Sequence, residues 1–292
     1  MIFILYYIIY LILNINQILK NLYIYIFKMI YVGGKNRIGK EIALKMKKLI
    51  DKKTISGYME PFCGSLGVMK NMVDYHDNII ASDSHPDLIA MWKGVKNGTF
   101  IPPKAVSEKY YNKVKKMKSP SALKGFVGFG CSFGGKYFGG YGQKYVKNHP
   151  TNFLTAATNS INKLKPLLKK IKFSCNDYRK FSPKNMLIYC DPPYKNSKAG
   201  SLYRTKTKKY DSFDNKEFWD TMRKWSKNNH VFISELEAPK DFTSVWQKKK
   251  QISISHSKLT RCKGSHNNLK SKKTKNKNTK QYAVEKLFIH KS

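Results

Sequence analysis

The chain has 292 residues, of which 56 are lysine or arginine and 18 are aspartate or glutamate, giving a formal net charge of +38. That imbalance excludes an ordinary enzyme meeting only small neutral molecules and calls for a polyanionic partner, nucleic acid first. The length suits one α/β catalytic domain carrying an insert. The five cysteines (Cys63, Cys131, Cys175, Cys190, Cys262) lack the paired spacing of a zinc site or a disulfide framework, so no metal is expected.

Residues 1–13 are continuously apolar. They are shorter than the ~20 residues of a membrane span and lack the leading basic residue of a signal peptide. Residues 1–28 therefore read as an apolar leader outside the functional unit, with Met29 as its start; a membrane anchor in residues 1–27 is the alternative. An intracellular location follows from the first reading.

Over residues 36–51, Ile38, Ile42, Met46, Leu49 and Ile50 recur at three- and four-residue steps, predicting an amphipathic helix opened by the Gly33-Gly34 pair. A short strand follows at 58–60, a turn of small residues at 61–67, and a helix from Val68 onward. Buried strands are predicted at 78–82, 171–175, 186–190 and 230–234, ending at Asp83, Asn176-Asp177, Asp191 and Glu235. Apolar strands that end in acidic loops, with helical patterns between them, predict a doubly wound Rossmann-like α/β sheet whose ligands bind beyond the strands' carboxyl ends. Runs at 251–256 and 282–290 are expected to pair as an antiparallel edge. The acid-free lysine-rich segment 258–280 between them reads as a loop that contacts phosphates.

The stretch between the second and third strands is too long for a crossover. Residues 92–165 are expected to form an inserted subdomain, with the catalytic domain in residues 29–91 and 166–292. Within the insert, residues 125–141 mix glycine, aromatic residues and lysine. Such a mixture suits close backbone approach to a ligand, base stacking and phosphate contact; the bland alternative is a structural loop with packed aromatics.

Asp191-Pro192-Pro193-Tyr194, directly after a strand, carries the sharpest chemistry. The exocyclic nitrogen of adenine is a poor nucleophile because its lone pair is delocalised into the ring. Acceptors aimed at both amino hydrogens draw the nitrogen toward tetrahedral geometry. The Asp191 carboxylate can take one hydrogen and the Pro192 carbonyl the other, and Tyr194 offers a ring to a base extruded from the duplex. Glu60-Pro61-Phe62-Cys63-Gly64 sits between strand and helix, where glycine lets the backbone approach a cofactor. Asp83 stands where a dinucleotide-type fold holds ribose hydroxyls. Asp177, with Tyr178 beside it, is positioned to accept from the cofactor's adenine amino group.

Together these residues resemble the Dam-like class of adenine-N6 DNA methyltransferases, its phage and viral members most, from Tyr31 to Ile289. The resemblance implies methyl transfer from S-adenosylmethionine to N6 of adenine in double-stranded DNA. It implies that Tyr31, Gly33, Gly34 and Lys35 hold the methionine portion of the cofactor, that Glu60, Phe62, Gly64 and Asp83 belong to the cofactor site, and that residues 92–165 are similar to a target-recognition domain. Ser234-Glu235, Ala238-Pro239, Phe242 and the closing 285–289 run also look like the late segments of viral members. Leu66 departs from the pattern, since many members carry glycine or alanine there; a tight turn at that point would weaken cofactor binding unless Gly67 compensates. The motif alone also admits a cytosine-N4 or RNA amino-methyltransferase, or a catalytically inactive DNA-binding homologue.

Overall fold

The computed structural model describes residues 31, 33–145, 152–194, 213–252 and 281–291. The leader at 1–28 and the basic segment 258–280 lie outside the described residues.

The strands β1 (Gly57–Glu60), β2 (Ile79–Ser82), β3 (Ile171–Ser174), β4 (Met186–Cys190), β5 (His230–Glu235), β6 (Phe242–Ile252) and β7 (Gln281–His290) form one sheet in the order β3-β2-β1-β4-β5-β7-β6. The first five are mutually parallel, while β7 runs antiparallel to both β5 and β6. This is the doubly wound, Rossmann-like sheet expected from the sequence, with an antiparallel edge. β1 pairs with β2 on one side and β4 on the other, so the strand order reverses there and leaves a crevice at the carboxyl ends of β1 and β4.

Period-two alternation assigns the two faces. Tyr58, Leu187, Tyr189, Phe232 and Leu287 share one core with Ile42 and Met46 of α1 (Gly39–Leu49), Leu88 and Trp92 of α2 (Pro86–Asn97), and Ile161 of α6 (Phe153–Leu168). Met59, Ile188, Cys190, Ile233 and Phe288 pack on the other face against Phe218, Met222 and Trp225 of α7 (Asn215–Ser226). A parallel sheet covered on both faces explains why its strands read as nearly unbroken apolar runs.

Two expectations need correction. After Val68 the chain forms one 3-10 turn, Met69–Asn71, in place of a helix. The Asn71 side chain donates to the carbonyls of Gly67 and Val68, competing with the helical backbone, and β2 follows within a few residues. The strand expected at 251–256 is β6, which begins nine residues earlier at Phe242. As the sheet's outermost strand it carries exposed Lys248 and Lys249, residues that mask strand character and guard an open edge.

Between β2 and β3 lie α2, α3 (Glu108–Lys115), α4 (Ala122–Gly125), a π-helical turn at Phe126–Gly130, α5 (Gly142–Tyr145) and α6. The expected insert boundaries fall inside α2 and α6. Tyr111, Phe126, Val127 and Phe129 join the same core as the sheet. Among the described residues, no helix is long and apolar enough to cross a membrane.

Candidate active site

Asp191 follows Leu187 and Tyr189 at two-residue steps, so β4 delivers its carboxylate to the face covered by α1. The segment just before α1 brings Lys35 there. The Lys35 Nζ donates to Asp191 Oδ1 at 2.6 Å, with Lys35 5% and Asp191 18% exposed. Glu285, at the same period-two phase of β7 as Leu287, places Oε1 3.5 Å from the same ammonium. Tyr194 lies beneath it, its ring centroid 4.8 Å from Lys35 Nζ and its hydroxyl donating to Glu285 Oε1. Burial works against charge on Lys35, but the two carboxylates outweigh it and raise its pKa. The lysine is therefore an ammonium, and Asp191 an acceptor beside a fixed positive charge. Pro192 is buried and Pro193 half-buried beside them.

Across the crevice, Gly33 (φ +77°) and Gly64 (φ +45°) adopt conformations that L side chains avoid, and a side chain at Gly33 would meet open space. Tyr31 packs on Phe129 with ring centroids 5.0 Å apart, and Gly34 turns back onto the Tyr31 carbonyl. The Gly64 amide donates to Asp83 Oδ2 at 3.1 Å and its carbonyl accepts from Trp92 Nε1 at 2.9 Å. His85 N–H donates to Asp83 Oδ1 at 3.0 Å. Burial raises the Asp83 carboxyl to about 6 in spite of these two donors. Each of its oxygens retains a further acceptor site, as a ribose diol requires.

Glu60 is buried and accepts from the Tyr58 hydroxyl at 2.6 Å. Burial pushes its carboxyl well above the ordinary carboxylate range. Phe62 packs against Tyr178 at 5.2 Å, and Phe213 and Phe218 complete an apolar wall. Asp177, at the end of β3, is engaged by Arg179, whose Nε and terminal nitrogen bond its two oxygens at 2.8 and 3.0 Å. The site thus divides in two. Lys35, Asp191 and Tyr194 cluster at β4, while Gly64, Asp83 and the Phe62–Tyr178 wall lie at the ends of β1, β2 and β3, with Asp177 tied to Arg179. An open glycine turn, an acceptor at the ribose position and an apolar wall fit a nucleoside-containing cofactor.

His85 and Trp92 are not marked by the sequence patterns, and Glu285 was marked only as part of the closing 285–289 run, with no role given to it. Glu285 is a single acid in the apolar run of β7, and its in-phase spacing with Leu287 was the available signal. His85 caps the helix after Asp83 and Trp92 lies within it, and they act through the backbone amide of one and the indole nitrogen of the other.

Leu66 is fully buried with φ +59°. The turn is as tight as its departure from the family pattern implies. Gly67 does not offset it: it serves a different close approach, in which an added Cβ would sit 3.0 Å from the Lys35 backbone.

In the glycine-rich stretch, a Cβ on Gly125 would sit 2.2 Å from the Asp87 carbonyl, and one on Gly128 2.5 Å from the Tyr137 ring. At these two positions glycine admits protein rather than ligand. Phe133 (48% exposed) and Lys136 are the most exposed side chains of the stretch.

Residues 31–126 match the model of a family described as D12 class N6 adenine-specific DNA methyltransferase. No curated protein matches the chain.

Proposed function

We propose that this chain, of which residues 31–126 match the model of the D12 class N6 adenine-specific DNA methyltransferases, carries out its transfer step at the carboxyl end of β4. The family's reaction moves a methyl group from S-adenosylmethionine to the exocyclic amino group of adenine in DNA. The observation that most supports this location is the Asp191 carboxylate held 2.6 Å from a buried ammonium at the point where the strand order reverses.

In this reading Asp191 accepts one amino hydrogen and the Pro192 carbonyl the other, which restores nucleophilic character to the nitrogen. Tyr194 presents its ring to the extruded base, its tilt fixed by Lys35 and Glu285. Asp83 takes the ribose hydroxyls of the cofactor, Phe62 and Tyr178 flank its adenine, and the Tyr31–Lys35 turn holds its methionine end. Glu60, buried and held by the Tyr58 hydroxyl, shapes the pocket, and Asp177 reaches the cofactor only by sharing its charge with Arg179. When bound, S-adenosylmethionine supplies the electrophilic methyl group.

Double-stranded DNA is the proposed substrate form, and an intracellular reaction goes with it. The +38 charge supports a phosphate-tracking surface, and the solvent-facing Phe133 and Lys136 support target recognition by the 92–165 region. Nucleoside mass spectrometry after incubation with duplex DNA and S-adenosylmethionine tests the reading. N6-methyldeoxyadenosine is expected; N4-methylcytosine, or methylation of RNA alone, would overturn it.

A further inference from the structure

Lys35 is shared. Its ammonium contacts Asp191 at 2.6 Å and Glu285 at 3.5 Å, and Glu285 in turn accepts the Tyr194 hydroxyl. Glu285 is 4% exposed, so its negative charge is little screened by water. Two carboxylates around one ammonium leave the group with a net charge of −1. That surplus matters at Asp191. A carboxylate fully neutralised by a lysine at hydrogen-bond distance is a poor acceptor for a weakly acidic amino group. A second carboxylate drawing on the same lysine returns acceptor strength to the first. The Tyr194 hydrogen bond fixes the other end, tying the aromatic ring to β7 at Leu287's phase of the strand.

We propose that Glu285 is a positioning residue for methyl transfer, holding Lys35 and Tyr194 so that Asp191 keeps its charge and orientation toward the substrate amino group. This rests on the reading of Asp191 as the acceptor. Glu285 does not touch the reacting atoms; it acts through Lys35 and Tyr194.

The charge and the hydrogen bond can be separated. Glu285→Gln keeps an oxygen that accepts from Tyr194 and removes the charge facing Lys35. Tyr194→Phe removes only the hydroxyl. With the full chain, duplex DNA and saturating S-adenosylmethionine, Glu285→Gln is expected to lower the single-turnover rate by about tenfold or more, with folding intact by circular dichroism. A rate within about twofold of wild type would overturn the proposal.

A second measurement needs no turnover and reads Lys35 in the free protein. Removing one of its two carboxylates lowers its hold on a proton, so acylation of Lys35 by an amine-reactive ester, followed by peptide mass spectrometry, should accelerate several-fold in Glu285→Gln. Unchanged labelling would also overturn the proposal, and it covers the case in which the glutamine variant folds poorly, since Glu285→Asp, with its charge kept on a shorter arm, should label as wild type does. If wild type itself methylates no DNA, the functional reading fails; if wild type methylates and Glu285→Gln matches it, only this inference fails.

Discussion

Lys35 and Asp191 stand 156 residues apart in the chain and meet at 2.6 Å, joining the turn before α1 to the end of β4. The contact links the segment assigned to the cofactor with the one assigned to the substrate base. Replacing Asp191 by Ala removes the acceptor and should lower methyl transfer by about 10²–10³-fold or more, the cost of losing one preorganised electrostatic group. Stability should fall too. Breaking a fully buried ion pair costs about 3–5 kcal/mol. Glu285 still partners Lys35 and Asp191 is 18% exposed, so a loss of about 1–2 kcal/mol is expected. Single-turnover assays and urea melts of Asp191→Ala and Asp191→Asn check both numbers; activity within about tenfold of wild type would remove Asp191 from the mechanism.

Cofactor affinity should depend on pH through Asp83. Its carboxyl is raised to about 6, with burial as the leading cause. Ribose hydroxyls donate to a carboxylate, so binding favours the deprotonated form. Affinity should level off above pH 6 and weaken by about tenfold per unit below it. His85, pushed down to about 4 by burial, does not titrate in that window. Stability without cofactor runs the opposite way. The folded carboxyl holds its proton more tightly than the unfolded one, so its contribution is full below the unfolded value of 3.8 and is lost as pH rises through about 6. Calorimetric titration of S-adenosylmethionine between pH 5 and 8 reads the affinity arm. Asp83→Asn should bind more weakly, by roughly 1–3 kcal/mol, with the pH step gone; a step that persists in Asp83→Asn belongs to another group.

Leu66 sets two opposing costs against each other. Its left-handed backbone costs about 1–2 kcal/mol relative to glycine. Full burial of its side chain is worth more, since truncation of a buried leucine costs about 2–5 kcal/mol and glycine adds about 0.5–1 kcal/mol of chain entropy. Leu66→Gly should therefore destabilise the protein by about 2 kcal/mol in denaturant melts despite relieving the backbone. A stabilised variant would mean that the strain exceeds the packing.

Most of the fold was legible because it is carried by local signals. Met186–Cys190 reads as a five-residue apolar strand and forms β4 with those bounds, and Asp83, Asp177 and Asp191 each stand just beyond the strand that precedes them. What escaped the sequence was non-local. Asn71 overrides the helix after Val68 through side-chain bonds to the carbonyls of Gly67 and Val68. β6 hides under lysines because its partner β7 lies across a long connection. Glu285 acquires its meaning only when β7 inserts beside β5 and carries it to Lys35. The same holds for Arg179, whose pairing with Asp177 no spacing argument separates from a free acceptor.

The glycine-rich stretch can be divided into packing and contact residues by one set of variants. Gly125 lies where α4 crosses α2, and a methyl group there would overlap the Asp87 carbonyl at 2.2 Å. Asp87 is itself buried, accepting from the Ser121 amide at 2.8 Å and the Tyr137 hydroxyl at 2.5 Å and pairing with Lys124 at 3.4 Å, so it cannot shift alone. Gly125→Ala should cost at least about 1–3 kcal/mol, the range for overpacking a core. Lys136 faces solvent, so Lys136→Gln should leave stability within about 0.5 kcal/mol, and Phe133→Ala, at a half-exposed ring, should cost less than the about 3–5 kcal/mol of a fully buried phenylalanine. Their effect should fall on DNA. Loss of a stacking aromatic is worth about 1–3 kcal/mol per base, and loss of one phosphate contact flattens the dependence of log K on log salt by up to about 0.9. Duplex-binding isotherms across a salt series, paired with thermal melts, separate the two roles. If Phe133→Ala and Lys136→Gln bind DNA as wild type does with the same salt slope, the stretch is a packed loop and target recognition lies elsewhere in residues 92–165 or beyond them.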